Sequence, residues 1–192
     1  MGKKVLGILG SPKPKGKVAT ILEKVLNECK KNGNEVKEIN LYDMKLEFCK
    51  GCMVCRSKGS CIIKDDLDDI AKEIISSNVI VLAAPTYWAN VPAIVKNLFD
   101  RMSGYAIESD KGKSPTPLLL NNKEYVLITA CSTPFPINII ASQSNGALRA
   151  MNEFFKYSGM SKIGTIVLPN THGNEIVPIS IMNKAEKVAK CI

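Results

Sequence analysis

Long hydrophobic runs are missing from this sequence. The longest apolar stretch, Val79 to Ala84, falls far short of the ~20 residues that span a bilayer, which argues against a membrane helix. The opening Met-Gly-Lys-Lys-Val-Leu runs into a short strand without a secretory h-region, so a cytoplasmic protein is expected. Aromatic residues make up only 6% of the chain, which leaves few stacking platforms for nucleic acid. The net charge of +8 does not change that reading, because the lysines are scattered (Lys3, Lys4, Lys13, Lys15, Lys17, Lys30, Lys31 and onward) rather than gathered in one block. Neither a nucleic-acid nor a membrane partner is expected. The sole histidine, His172, sits in Asn170-Thr171-His172-Gly173-Asn174 without a partner pattern, so a catalytic triad or a zinc hydrolase has no support and an exposed loop position is expected. No Pro-rich or Ser/Gly-rich linker and no repeat interrupts the 192 residues. One domain over residues 1–192 is expected.

What is present is the periodicity of an α/β protein. Lys3 to Leu9 is an apolar run ending at Gly10-Ser11-Pro12, after which Val18, Ile21, Leu22, Val25, Leu26 and Cys29 recur at helical spacing. Gly33 closes that helix, and Glu35 to Leu41 alternates as a second strand. Asp65 and Asp66 stand where an N-cap and a helix dipole favour acids, ahead of Leu67, Ile70, Ile74 and Ile75. Val79 to Ala83 reads as a strand buried on both faces. Val91, Ile94, Val95, Leu98, Phe99 and Met102 form the next helical face. Residues 104–122, polar and carrying Pro115 and Pro117, read as a surface excursion of the kind that often serves as a lid. Tyr125 to Ala130 is a fourth strand, Leu148 to Phe155 a helix, Ile163 to Leu168 a fifth strand and Ile179 to Ala189 a last helix.

Strict β/α alternation demands a parallel sheet with right-handed crossovers and helices on both faces. Ligands of such sheets bind outside the carboxyl ends of the strands. The loops Gly10 to Thr20, Pro85 to Val91 and Cys131 to Ile137 therefore become the candidate site.

The first of these has neither the Gly-x-Gly-x-x-Gly of a dinucleotide fold nor the Gly-Lys-Ser/Thr of a P-loop. A turn-rich loop opening a helix remains, where free backbone N–H groups, the Ser11 hydroxyl and three lysines favour a phosphate over a plain surface turn. In Pro85-Thr86-Tyr87-Trp88-Ala89-Asn90-Val91 two aromatic residues stand side by side, one of them the only Trp of the chain. They either cap the sheet end or flank a planar ligand. The two loops together favour a flat, phosphorylated cofactor.

Seven cysteines is an odd number, and four of them crowd between Cys49 and Cys61; thiolate chemistry in a reducing compartment fits better than a secreted disulfide framework. In Cys49-x2-Cys52-x2-Cys55-x5-Cys61, within a cysteine-rich loop over 48–62, three thiolates at intervals of three can converge on one polynuclear centre while a fourth arrives after a short loop. Zinc sites more often pair their cysteines in two separated knuckles. An iron-sulfur cluster, free structural thiols, and zinc or a disulfide are the competing states. Cys29 reads as core and Cys191 as incidental.

The order and spacing of these segments resemble the NAD(P)H-dependent FMN reductase and iron-sulfur flavoprotein family of the flavodoxin-like fold. The resemblance spans nearly the whole chain, through Gly10-Ser11-Pro12-Lys13, the cysteine loop, Asp65-Asp66, Pro85-Thr86-Tyr87-Trp88, and Lys96 followed by Asp100-Arg101. It implies an α/β three-layer sandwich with a five-stranded parallel sheet in the order 2-1-3-4-5. It further implies FMN, with the phosphate on Ser11, Lys13, Lys17, Val18, Ala19 and Thr20 and the isoalloxazine against Pro85, Thr86, Tyr87, Trp88, Ala89 and Asn90. Cys131 ends strand four beside the expected flavin edge, as filler or as a redox-active thiol. Where the family has Asn-Thr after the glycine matching Gly16, this chain has Lys17-Val18, which removes one hydroxyl contact that Lys17 and Thr20 are expected to replace. The cysteine spacing resembles the compact motif with which iron-sulfur flavoproteins bind a 4Fe-4S cluster at Cys49, Cys52, Cys55 and Cys61.

The resemblance implies an FMN-dependent oxidoreductase that takes electrons from NAD(P)H or a redox protein and passes them to a small-molecule or protein acceptor, and a homo-oligomer. The flavin carries the chemistry, so Tyr87, Trp88, Lys96 and Arg101 are expected to bind rather than to act as acids or bases, and no catalytic side chain is named. A cluster-free NAD(P)H:FMN or quinone reductase is one alternative, and a non-catalytic flavin or thiol redox sensor is another.

Overall fold

The computed structural model describes residues 2–108, 116–119, 122–172 and 176–192. Five strands, β1 (Lys4–Leu9), β2 (Glu35–Asn40), β3 (Val79–Pro85), β4 (Glu124–Ala130) and β5 (Ser161–Leu168), alternate with five main helices. These are α1 (Lys17–Lys31), α2 (Leu67–Ser76), α3 (Ala93–Arg101), α4 (Gln143–Tyr157) and α5 (Ile179–Ala189). The sheet order is β2-β1-β3-β4-β5 and every neighbouring pair is parallel, as the resemblance implied. The chain therefore reverses its direction of travel between β1 and β3, and the crevice outside their carboxyl ends is the switch point.

Burial along the strands explains their places. β3 is buried from Val79 to Ala84 and β1 from Val5 to Leu9, whereas β2 fully buries only Ile39, as an edge strand does. Because side chains alternate across a strand, Leu6, Ile8, Ile80 and Leu82 pack on α2, α3 and α4 through Ile70, Ile74, Leu98, Met151 and Phe155. Val5, Leu9, Val79 and Val81 pack on α1 and α5 through Ile21, Leu22, Val25 and Ala185. Two cores thus form on either side of the sheet, and each fully buried aliphatic residue contributes roughly 1.5–3 kcal/mol. At Gly7 a Cβ would lie 2.5 Å from Leu26 Cδ1, so a larger residue there would push the Leu26 side chain aside.

Asp66 is the N-cap of α2 but makes no side-chain cap bond; its Oδ2 accepts from Lys45 N at 2.6 Å, while Asp65 Oδ1 accepts from Leu67 N at 3.2 Å. Of the 104–122 excursion, residues 109–115, 120 and 121 lie outside the described residues, so the lid reading cannot be placed on them. The described parts hold to the body: Ile107–Glu108 pairs antiparallel with Thr116–Pro117, Leu118 N donates to Ala106 O, and Leu119 is buried. No helix among the described residues is long and apolar enough to cross a membrane.

Candidate functional site

The parallel sheet brings the three suspected loops to one edge. Gly10 N donates to Ala83 O at 2.8 Å, Thr86 N to Ala130 O at 2.8 Å and Cys131 N to Leu168 O at 3.0 Å, so each loop departs from its neighbour strand in register. In the first loop Gly16 N closes a turn on Lys13 O at 3.0 Å, and Ser11, buried, accepts from Lys13 N at 3.3 Å. The first hydrogen bond of α1 is Thr20 N to Gly16 O at 2.9 Å. The N–H groups of Lys17, Val18 and Ala19 come before it and have no intrahelical acceptor. Gly16 supplies no side-chain cap and the first turn holds no acid, so these donors and the dipole are open to an anion. Val18 and Ala19 bury their side chains in the core, and the backbone is what they offer. The two side chains expected to replace the missing hydroxyl are engaged with carbonyls: Lys17 Nζ with Thr171 O at 2.9 Å and Thr20 Oγ1 with Gly16 O at 3.2 Å. Lys13 and Lys15 are exposed beside them.

The aromatic loop is a tight hairpin. Tyr87 N donates to Asn90 O at 2.8 Å and Asn90 N to Tyr87 O at 3.0 Å, while Trp88 and Ala89 have φ of 52° and 55°. Two consecutive positive φ values make a type I′ turn. The sequence gives no warning, since Trp-Ala stands where such turns prefer Asn-Gly. Trp88 is 100% exposed and Tyr87 46%, so the alternative in which the two rings cap the sheet end is set aside. The turn is braced from behind by α4, where a Cβ on Gly146 would lie 1.8 Å from Ala89 O. Among the described residues, Trp88 N and Ala89 N have no acceptor. Behind the turn, Thr86 Oγ1 and Thr129 Oγ1 share a hydrogen bond at 3.0 Å. Cys131 lies at this edge but is 4% exposed; its Sγ donates to Thr133 O at 3.5 Å, and burial pushes its thiol pKa up. That environment favours the inert thiol over the redox-active one. His172 is exposed and Cys29 is buried, as expected.

Cys49, Cys52, Cys55 and Cys61 all line one cleft of about 80 Å³, with Met53, Arg56, Ile63 and Arg101 among the other walls. The loop coils through left-handed positions at Gly51, Met53 and Gly59 and contains a short helix, Cys55–Lys58, that periodicity did not reveal. Gly104 permits the close packing: a Cβ there would be 2.6 Å from Cys55 O.

Both ends of the loop are held by α3. Asn97 Nδ2 donates to Glu47 O at 3.1 Å, and Asn97 Oδ1 accepts from Cys49 N at 3.2 Å. One turn later the Arg101 guanidinium donates to Glu47 O and Ile63 O, and forms a bidentate pair with Asp65 at 2.8 and 2.9 Å. Both partners of this pair are fully buried. Burial works against the charge on Arg101, but the Asp65 carboxylate and the Cys61 sulfur outweigh it and leave its pKa above the ordinary value. Burial likewise opposes the Asp65 charge, and Arg101 with the N–H groups of Glu47 and Leu67 holds that carboxyl below its usual range. Arg101, expected among the binding residues, is thus a buried clamp of the cysteine loop, and Lys96 is exposed and paired with Asp100. Among the described residues, no three His, Cys, Asp or Glu side chains are placed so as to hold a metal ion.

A family model for the flavodoxin-like fold matches residues 3–192. The chain belongs to the flavodoxin-like family. An iron-sulfur flavoprotein of Archaeoglobus fulgidus is 37% identical to this flavodoxin-like chain over 102 residues, covering 53% of the chain and 46% of the relative. The chain spans about half the length of the iron-sulfur flavoproteins of Archaeoglobus fulgidus and Methanocaldococcus jannaschii that it matches. Two solved structures share the flavodoxin-like architecture along its whole length. An NAD(P)H:quinone oxidoreductase from Methanothermobacter marburgensis has a TM-score of 0.83 at 14% identity, with 99% of this chain and 98% of that one covered. An FMN-dependent NADH-azoreductase from Bacillus anthracis in complex with FMN has a TM-score of 0.72 at 14% identity, with 100% and 97% covered. At such identities the likeness speaks for the flavodoxin-like fold alone.

The flavodoxin-like edge described above fits a flavin mononucleotide: an uncapped helix start for one phosphate, a rigid turn with unused N–H groups, and exposed ring faces. The cysteine cleft fits a thiolate-held iron centre in its donor set, with four sulfurs on one cleft beside a buried Arg101 whose Nε–H has no acceptor among the described residues.

Proposed function

We propose that this chain is an FMN-dependent oxidoreductase that moves electrons from NAD(P)H or a redox protein to an acceptor, with Cys49, Cys52, Cys55 and Cys61 as ligands of a 4Fe-4S cluster. The observation that carries the reading is the carboxyl edge of the sheet, where the neighbouring strands β1 and β3 lead into the uncapped start of α1, with no acid in its first turn, and into the left-handed Tyr87–Asn90 turn. FMN, when bound, supplies the interchange between hydride pairs and single electrons. The residues of the chain bind and orient. Ser11 and the N–H groups of Lys17, Val18 and Ala19 hold the phosphate, with Lys13 and Lys15 attracting it at longer range. Trp88 N and Ala89 N meet the polar rim of the ring, and Tyr87 and Trp88 cover its apolar faces. The relatives' name supports the cluster, as does the convergence of four thiols on one cleft.

Exposed Trp88, Phe135, Ile137 and Ile140 on the same sheet edge support a homo-oligomer that covers them. A cluster-free NAD(P)H-dependent reductase is the second reading, favoured by the absence, among the described residues, of a ready-placed trio of metal-binding side chains. An ultraviolet-visible spectrum of anaerobically purified protein, with chromatography of the flavin released on denaturation, tests the proposal. FMN under a broad cluster absorption is the expected result. FMN alone with steady NAD(P)H oxidation selects the second reading, and FAD or no flavin after reconstitution refutes both.

A further inference from the structure

We infer that Arg101 is a positioning residue for the cysteine cleft, its Nε–H being the donor held for the sulfur of Cys61 when that sulfur carries negative charge as a cluster ligand. The inference rests on the reading of the four cysteines as ligands. A guanidinium has five N–H donors. Four are in use: Nη1 on Glu47 O and Asp65 Oδ2, Nη2 on Ile63 O at 3.4 Å and Asp65 Oδ1 at 2.9 Å. The fifth, on Nε, is buried with no acceptor among the described residues, a state that proteins rarely leave uncorrected. Arg101 is 2% exposed, so water is a poor substitute. It lines the cleft together with all four cysteines, and the Nη2 bond to Ile63 O sets the guanidinium beside the chain two residues from Cys61.

The arrangement sets both position and electrostatics. Glu47 and Ile63 lie two residues outside Cys49 and Cys61, so one side chain fixes the two ends of the ligand loop and offers a donor between them. Asp65 takes up the full charge through its bidentate pair, so what reaches the sulfur is a directed N–H dipole. A hydrogen bond to a ligand sulfur draws electron density from the iron centre and favours its reduced form. Arg101 therefore raises the reduction potential of the site and orients Cys61.

The test uses the anaerobically reconstituted 192-residue chain. Arg101→Lys keeps a cation for Asp65 but has no Nε–H. In the chains that retain iron, reduction is expected to be at least tenfold less favourable, a fall of about 59 mV for one electron. A second measurement needs no change at Arg101: arginine labelled with 15N at Nε, in an Arg56→Lys background that leaves Arg101 as the one labelled arginine on the cleft. Pulsed electron paramagnetic resonance of the reduced protein is expected to show a 15N coupling, and this arm decides the matter if Arg101→Lys does not fold. Full iron with no coupling, or with an unchanged potential in Arg101→Lys, overturns the role of Arg101 and leaves the ligand reading standing. Wild type that binds no iron overturns the ligand reading itself, and the inference falls with it.

Discussion

Gly146→Ala separates two ways of understanding the Trp88–Ala89 turn. Gly146 sits in the first turn of α4, where replacing glycine by alanine ordinarily gains about 1 kcal/mol of helix stability. Here the new Cβ would begin 1.8 Å from Ala89 O and must reach at least 3.0 Å. The obstacle is backbone, not the tip of a flexible side chain. It belongs to a turn with two left-handed non-glycine residues pinned by the Tyr87 and Asn90 bonds. Overpacking of this kind costs typically 1–3 kcal/mol, which cancels or exceeds the gain in propensity. The expected net effect is a destabilisation of about 0–2 kcal/mol, from the difference of those two figures. The turn is also displaced by more than ~1 Å from the place where it meets the flavin, so FMN binding should weaken at least about tenfold. Urea unfolding of the apoprotein and fluorescence titration with FMN measure the two effects. A variant stabilised by about 1 kcal/mol that binds FMN as wild type does would refute the claim that α4 braces the turn as a flavin platform.

Trp88→Ala should leave stability within ~0.5 kcal/mol, since the side chain is fully exposed, and weaken FMN binding by about 1–2 kcal/mol through lost ring contact; unchanged affinity would remove Trp88 from the site. Asp65→Asn strands the buried Arg101 charge and should cost about 3–5 kcal/mol in urea unfolding, whereas a loss under ~1 kcal/mol would mean that the pair is dispensable. Burial pushes the Cys29 thiol up from 9.0 to about 11. The native chain therefore keeps this proton through a pH range in which the unfolded chain has lost it, and stability falls as pH rises from about 9 to 11. Cys29→Ala should flatten that alkaline slope relative to wild type, and an unaltered slope would contradict the assignment.

The frame of the fold was legible because apolar spacing is a local property: the last helix was read at Ile179 to Ala189 and is found there, and β3 announced itself through an unbroken buried run. What escaped depends on distant partners. Short helices at Ser103–Ala106 and Ile137–Ile140 span too few residues to show a period. The acids before α2 do stand at its start, Asp66 as the N-cap residue and Asp65 accepting from Leu67 N, yet Asp65 is also claimed by an arginine thirty-six positions away. Asn97 and Arg101 lie on the last turns of a helix that periodicity located correctly, and nothing in their spacing showed that they grip the cysteine loop. At the candidate site, topology sets the three loops at one sheet edge, while the I′ turn and the engagement of Lys17 with Thr171 O needed coordinates.

The central claim is most directly tested by counting iron and acid-labile sulfide per chain in anaerobically reconstituted wild type and in Cys49→Ser, Cys52→Ser, Cys55→Ser, Cys61→Ser and Cys29→Ser. Ligands of one cubane act as a set, so about four irons per wild-type chain are expected, retained in Cys29→Ser and lost or degraded in each of the other four. FMN should stay bound in all of them, because its phosphate and ring loops follow other strands. A wild type that takes up no iron yet oxidises NAD(P)H with FMN bound would contradict the account and return the chain to the cluster-free reductases.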